Sequence, residues 1–155
     1  GLSIGVGMAL AGRIERRDYR VFVLMGDGET NEGSVWEAAA AAAKYQLHNL
    51  IGIVDCNQLC VDGRIEDVMP MEPMLAKWQA FGWAAIELDG HDIPSLLESL
   101  DRPATDFDGR PRVIIARTIK GRGVSFMEDQ RSWHADAITV EQYAQVLHEL
   151  RKPLS

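Results

Sequence analysis

The stretch "RVFVLMGDGETNEG", residues 20–33, decides how the chain folds. Its first half is a continuous apolar run, consistent with a strand covered on both faces. Its second half places a carboxylate, Asp27, between two glycines and follows it with two more acids and an asparagine. An apolar strand that ends abruptly in oxygen-bearing groups is consistent with a β-edge turned toward a ligand and equally with a tight turn.

Before this stretch, "GLSIGVGMALAGRIERR" reads as a helix: Ile4, Met8, Ala11 and Ile14 fall near helical spacing, and Gly1, Gly5 and Gly12 leave part of one face bare for a close approach. Glycine weakens a helix, so close packing is the reason expected for it. After the stretch, "SVWEAAAAAAKYQL" is a helix expected to start on a Ser34/Glu37 capping box. "NLIGIVDCN" is a second apolar strand with a polar end. A helix over "MLAKWQAFGW", the strand "AAIELDG", a short helix "SLLESL" after Pro94 and the strand "PRVIIARTIKG" complete the middle of the chain. The last helix is expected to begin on a Thr139/Gln142 capping box and to run through Lys152. Strands alternating with helices predict an α/β fold, a parallel sheet with helices on both faces. The stretch "DRPATDFDGRP" is the expected flexible region.

The 155 residues suit one domain, 1–155. Sixteen basic against 23 acidic residues give a net charge of −7, which argues against nucleic acid or an anionic membrane as partner. No apolar run is long enough to span a bilayer and no basic-then-apolar leader opens the chain, so a cytoplasmic location with Cys56 and Cys60 as reduced thiols is expected. The chain opens on Gly1 with a helix already under way, and a preceding N-terminal segment is expected.

In a parallel sheet the carboxyl ends of "GDG" and "DCN" can converge, bringing the Asp27 carboxylate and the Asn57 amide together. A few hard oxygens suit Mg²⁺, which keeps positions for water and substrate phosphates. Glycines on both sides of Asp27 let the chain approach a ligand, and the helix near Ser34 aims its N-terminus at the same region. A tight turn in which Asp27 and Asn57 only satisfy backbone groups fits the spacing equally well. A calcium loop does not, because its sixth and twelfth positions here hold Glu32 and Ala38 instead of glycine and glutamate.

The GDG motif followed some thirty residues later by "DCNQL", with "DG" shortly after, resembles the thiamine diphosphate motif of transketolases. "GLSIGVGMALA", Glu32–Gly33, "FGW", "DGHD", "TIKGRGVSFMED" and "WH" extend the resemblance over nearly the whole chain. It is most similar to the N-terminal, diphosphate-binding subunit of the two-chain bacterial type.

The resemblance implies a thiamine-diphosphate-dependent transferase that moves a two-carbon ketol unit between sugar phosphates. By it, Asp27, Asn57 and the backbone carbonyl of Leu59 hold Mg²⁺, or Ca²⁺ or Mn²⁺ in its place. Gly28 donates its N–H to the diphosphate, and Gly26 and Glu29 flank it in the cofactor-binding set. Glu32 belongs to a carboxylate network near the subunit interface, although a first-turn acid favoured by the helix dipole would also sit there. Lys120 lies near the cofactor, and His134 reaches the cofactor and the reacting carbons. The family's "WHG" is departed from at Ala135, with Asp136 following. His91 is read as a turn residue beside the cap Asp92, and His48 and His148 as surface residues.

By the same resemblance, the glutamate that activates the cofactor is expected in a pyrimidine-binding domain outside this chain, which implies a partner subunit carrying that domain and a dimer of heterodimers. The same type of cofactor domain serves deoxyxylulose-phosphate synthases and 2-oxoacid dehydrogenases, and a non-catalytic assembly subunit is a further alternative.

Overall fold

The computed structural model describes residues 1–151, and Lys152, expected at the end of the last helix, lies outside them. Four strands, β1 (Val21–Gly26), β2 (Leu50–Cys56), β3 (Ala84–Asp89) and β4 (Arg112–Arg117), form one sheet in the order β1-β2-β4-β3. Every neighbouring pair is parallel, with Val23 opposite Gly52, Gly52 opposite Val113 and Ala85 opposite Val113.

The helices are α1 (Leu2–Ile14), α2 (Gly33–Lys44), α3 (Ile65–Val68), α4 (Met74–Ala80), α5 (Ile93–Asp101) and α6 (Val140–Leu150). One face of the sheet carries the main core, in which Val23, Met25, Val54, Val113 and Ile115 pack with Ala39 and Ala42 of α2 and Trp78 of α4. The alanine run of α2 leaves room for aromatics: Trp83 donates its indole N–H to the Ala39 carbonyl at 2.9 Å and meets Trp78 edge-on at 4.9 Å. On the other face, α5 is fixed through the buried Arg112. Its guanidinium donates to the carbonyls of Ser99 and Arg102 and lies 4.8 Å over the Phe107 ring. Helices therefore cover both faces, although not evenly. β1 alternates buried and exposed residues, and Phe22 and Leu24 face outward, so the expectation of a first strand covered on both sides is corrected at this edge.

The N-terminal helix is present, but its apolar stripe is not what it buries. Ile4, Met8 and Ile14 are exposed, whereas Leu2, Gly5, Ala9 and Gly12 face the core. A Cβ on Gly5 would stand 2.3 Å from Val23 Cγ2, and one on Gly12 would stand 2.8 Å from the Tyr19 ring, so side chains rather than another backbone use the bare face.

The Ser34/Glu37 capping box does not form. Glu32 is the N-cap of α2, the helix begins at Gly33, and the Ser34 hydroxyl donates to the Glu32 carboxylate at 3.3 Å. The Thr139/Gln142 box does form on α6, and Asp92 caps α5. "FGW" is the turn after α4, with Gly82 at φ +84°. The stretch expected to be flexible contributes the end of α5 and a 3₁₀ turn, Ala104–Phe107, anchored by the buried Phe107.

Candidate active site at the carboxyl edge of the sheet

β1 ends at Gly26, which pairs with Asp55, and the chain turns at once into a 3₁₀ helix, Gly28–Asn31, capped by Asp27. The turn is braced from within. The Thr30 hydroxyl donates to the Asp27 carbonyl at 2.5 Å, and the Trp36 indole N–H donates to the Thr30 carbonyl at 2.8 Å.

The Asp27 side chain is buried, and its two oxygens are held by different segments. Oδ1 accepts the Gly28 N–H at 2.8 Å, while Oδ2 accepts the Gln58 N–H at 2.6 Å. Burial pushes its pKa up, the bonds from Gln58 and Gly28 pull the other way, and the nearby Asp55 adds to the rise. This carboxylate is thus kept at a cost that a cation would relieve.

Across the strand boundary, Asn57 Oδ1 accepts the Leu59 N–H at 3.0 Å, so Asp27 and Asn57 take hydrogen bonds from consecutive peptide groups of one loop. Gln58 adopts φ +64°, the left-handed turn that aims both N–H groups inward. The two residues singled out thirty positions apart are brought to one loop. Leu59 is buried there and forms a β-bridge with Arg64.

The surroundings suit a ligand that comes close to backbone. A Cβ on Gly28 would stand 3.0 Å from Cys60 Cβ, and one on Gly26 would meet nothing within 4 Å, so this edge is open above Gly26. Among the described residues, no three His, Cys, Asp or Glu side chains gather as a metal site. The available set is instead one buried carboxylate and one amide oxygen, hard oxygens of the kind Mg²⁺ accepts when phosphate oxygens and water supply the rest. The residues present therefore fit a metal-bridged diphosphate.

Glu32 is exposed at the start of α2, and Glu29 is half-buried in the 3₁₀ turn. Lys120 lies half-buried beyond the end of β4, which stops at Arg117, so it belongs to the following loop and not to the strand. His134 is exposed at the end of the 3₁₀ turn Arg131–His134. Among the described residues no hydrogen bond or ion pair joins Lys120 or His134 directly to Asp27 or Asn57. The segment that carries them is nevertheless pinned to the loop after Asn57: Arg64 pairs with Asp129 at 2.6 Å, and Arg131 donates to the Asp62 carbonyl at 3.0 Å. Trp133 fixes the turn before His134 by donating to the Phe126 carbonyl at 3.0 Å.

Cys56 is buried, and burial pushes its thiol up to about 11, in keeping with a packing role. Its strand neighbour across the sheet, Arg117, bridges Glu72 at 2.5 Å and Glu87 at 2.7 Å. His91 is the acceptor for the Ile119 N–H at 2.8 Å, a turn-stabilising role.

Asp55 and Thr118 join this site although neither is among the site residues read from the sequence. The Thr118 hydroxyl donates to Asp55, whose other oxygen accepts from Asn57 at 3.1 Å. The alternation of β2 contained a signal, since Asp55 and Asn57 are two positions apart and Asp55 interrupts an apolar strand.

A parallel α/β sheet with a glycine-flanked acid and an amide at adjoining strand ends defines a cofactor-binding domain of the diphosphate-holding class. The chain belongs to the transketolase family: residues 1–151 match the domain described as "Transketolase, thiamine diphosphate binding domain". It is 43% identical over 150 residues to one of the subunits of the apulose-4-phosphate transketolase of Phocaeicola vulgatus, covering 97% of this chain and 53% of that protein. It is 37% identical over 152 residues to the 6-deoxy-6-sulfo-D-fructose transketolase subunit SqwG of a Clostridium species, covering 98% and 55%. The crystal structure of transketolase from Campylobacter jejuni superimposes with a TM-score of 0.88 at 25% identity, covering 96% of this chain and 24% of that one. The chain thus spans about half the length of the subunit-type relatives it matches.

Proposed function

We propose that this chain is the diphosphate-holding part of a thiamine-diphosphate-dependent transketolase that moves a two-carbon ketol unit from a ketose to an aldose. The observation that carries the reading is the meeting of Asp27 and Asn57 on consecutive N–H groups of one loop. In this reading Asp27, Asn57 and the Leu59 carbonyl hold Mg²⁺, and Gly28, flanked by Gly26 and Glu29, contacts the diphosphate. Lys120 and His134 serve the cofactor and the substrate from the pinned segment, and Glu32 faces the neighbouring subunit. The cofactor supplies a stabilised carbanion at its own ring, and the protein binds and orients it.

A partner subunit bearing the pyrimidine-binding domain completes the site. The names of the relatives, which are those of transketolase subunits acting on phosphorylated or sulfonated sugars, support an anionic ketose as substrate. A dimer of heterodimers working in the cytoplasm belongs to the same proposal.

The experiment measures cofactor binding by the chain with its partner, with and without Mg²⁺, for the wild type and Asp27→Ala. Binding that needs the metal and falls about tenfold or more in the variant supports the reading. Metal-independent binding, or an unaffected variant, points to a non-catalytic assembly subunit. Ketol transfer by the chain without a partner would overturn the two-chain arrangement.

A further inference from the structure

Asn57 can serve a cation only through its oxygen, and an amide offers its NH₂ equally well if nothing fixes which way it turns. Asp55 fixes it. A carboxylate can only accept, so the Asn57 Nδ2 that lies 3.1 Å from Asp55 Oδ2 is the amide nitrogen, and Oδ1 is turned the other way, onto the Leu59 N–H at 3.0 Å. The second oxygen of Asp55 is occupied by the Thr118 hydroxyl, which keeps the carboxylate from rotating.

Thr118 is itself braced. The Gly90 N–H donates to the Arg117 carbonyl at 2.7 Å, and a Cβ on Gly90 would stand 2.4 Å from Thr118 Cγ2, so the turn after β3 leaves no room for a side chain between itself and Thr118. His91, accepting from the Ile119 N–H, ties the same two turns together. "DGHD" and "TIKG" thus form one support whose inner end is Asp55.

We propose that Asp55, held by Thr118, is a positioning residue that orients the Asn57 amide so that its oxygen faces the cation. The proposal rests on the reading of Asn57 as a metal ligand. Partners of ligating groups of this kind affect metal affinity by about 10- to 100-fold.

The test titrates Mg²⁺ into the full-length chain, assembled with its partner, in the presence of thiamine diphosphate. Cofactor binding is read from quenching of tryptophan fluorescence, and the unfolding midpoint is recorded beside it. Four forms are compared: wild type, Asp55→Ala, Asn57→Asp and the double variant. With Asn57 present, Asp55→Ala is expected to raise the Mg²⁺ needed by about tenfold or more. With Asp at position 57, either oxygen serves and no orientation is required, so removing Asp55 is expected to cost nothing or to help by removing a like charge.

A merely structural or long-range charge effect of Asp55 would cost the same in both backgrounds, and that result overturns the proposal. If Asp55→Ala does not fold, Thr118→Val, compared in the same two backgrounds, decides by the same criterion. Asp27→Ala separates the two ideas. Intact metal-dependent binding in that variant sinks the ligand assignment itself, whereas its loss together with wild-type behaviour of Asp55→Ala sinks only the orienting role.

Discussion

The peptide N–H of Gln58 donates to Asp27 Oδ2 at 2.6 Å, joining the turn after β1 to the loop after β2. Removing the carboxylate therefore has a structural cost as well as a functional one. Asp27→Ala leaves the Gln58 and Gly28 N–H groups without their acceptor, a loss of about 1–3 kcal/mol that relief of the buried charge offsets only in part, so stability should fall in the absence of cofactor. Urea unfolding of wild type and variant checks this, and an unchanged midpoint would contradict it.

Gly5 and Gly7 stand two positions apart in α1 and should respond oppositely to alanine. At Gly5 the new methyl meets Val23 Cγ2 at 2.3 Å, an overpacking expected to cost about 1–3 kcal/mol. At Gly7 nothing lies within 4 Å, and the gain in helix propensity is expected to stabilise by about 0.5–1 kcal/mol. Thermal unfolding of the two variants should move in opposite directions.

Gly90→Ala places a methyl 2.4 Å from Thr118 Cγ2 and 3.0 Å from Ala116 Cβ. A loss of about 1–3 kcal/mol is expected, with hydrogen exchange rising first at Thr118 and Ile119. A variant as protected as the wild type at those amides would show that the two turns yield without strain.

Glu72 gives the acid limb of stability a specific contributor. The hydrogen bond from Arg117 lowers its pKa, outweighing burial, and the Met74 N–H bond adds to the lowering. A carboxylate whose folded pKa is depressed contributes stability that is present above its unfolded value and is lost as pH falls through the folded one. Glu72→Gln should therefore lose stability near neutrality and converge with wild type in acid. Because the Glu72 side chain is 49% exposed, the difference should be below about 1 kcal/mol. Parallel pH–stability curves would disprove the linkage.

Much of this architecture was legible because apolar runs and glycine-flanked acids report directly on a covered strand and a turn. "FVLMGDG" and "IGIVDCN" gave β1, β2 and the position of the candidate site. Coverage was harder to read. Leu24 looks like a core residue in sequence, yet it is 70% exposed, because strand order and not composition decides which residues fall at an edge. Ser34 and Glu37 have the spacing of a capping box, but the preceding 3₁₀ turn ends at Asn31 and leaves Glu32 as the cap, two residues before Ser34. Asp55 leaves a local trace by interrupting an apolar strand, but its role lies in a contact with Thr118, 63 positions away, which that trace does not encode.

The strand order also bears on how this chain is made. Because β4 lies between β2 and β3, a nascent polypeptide that has not yet reached Arg112 has two finished strands flanking an empty slot. Synthesis must pass residue 117 before those ribbons can be zipped together, so this domain closes late, and ribosomal products halted earlier should be open to proteases and self-adhesion.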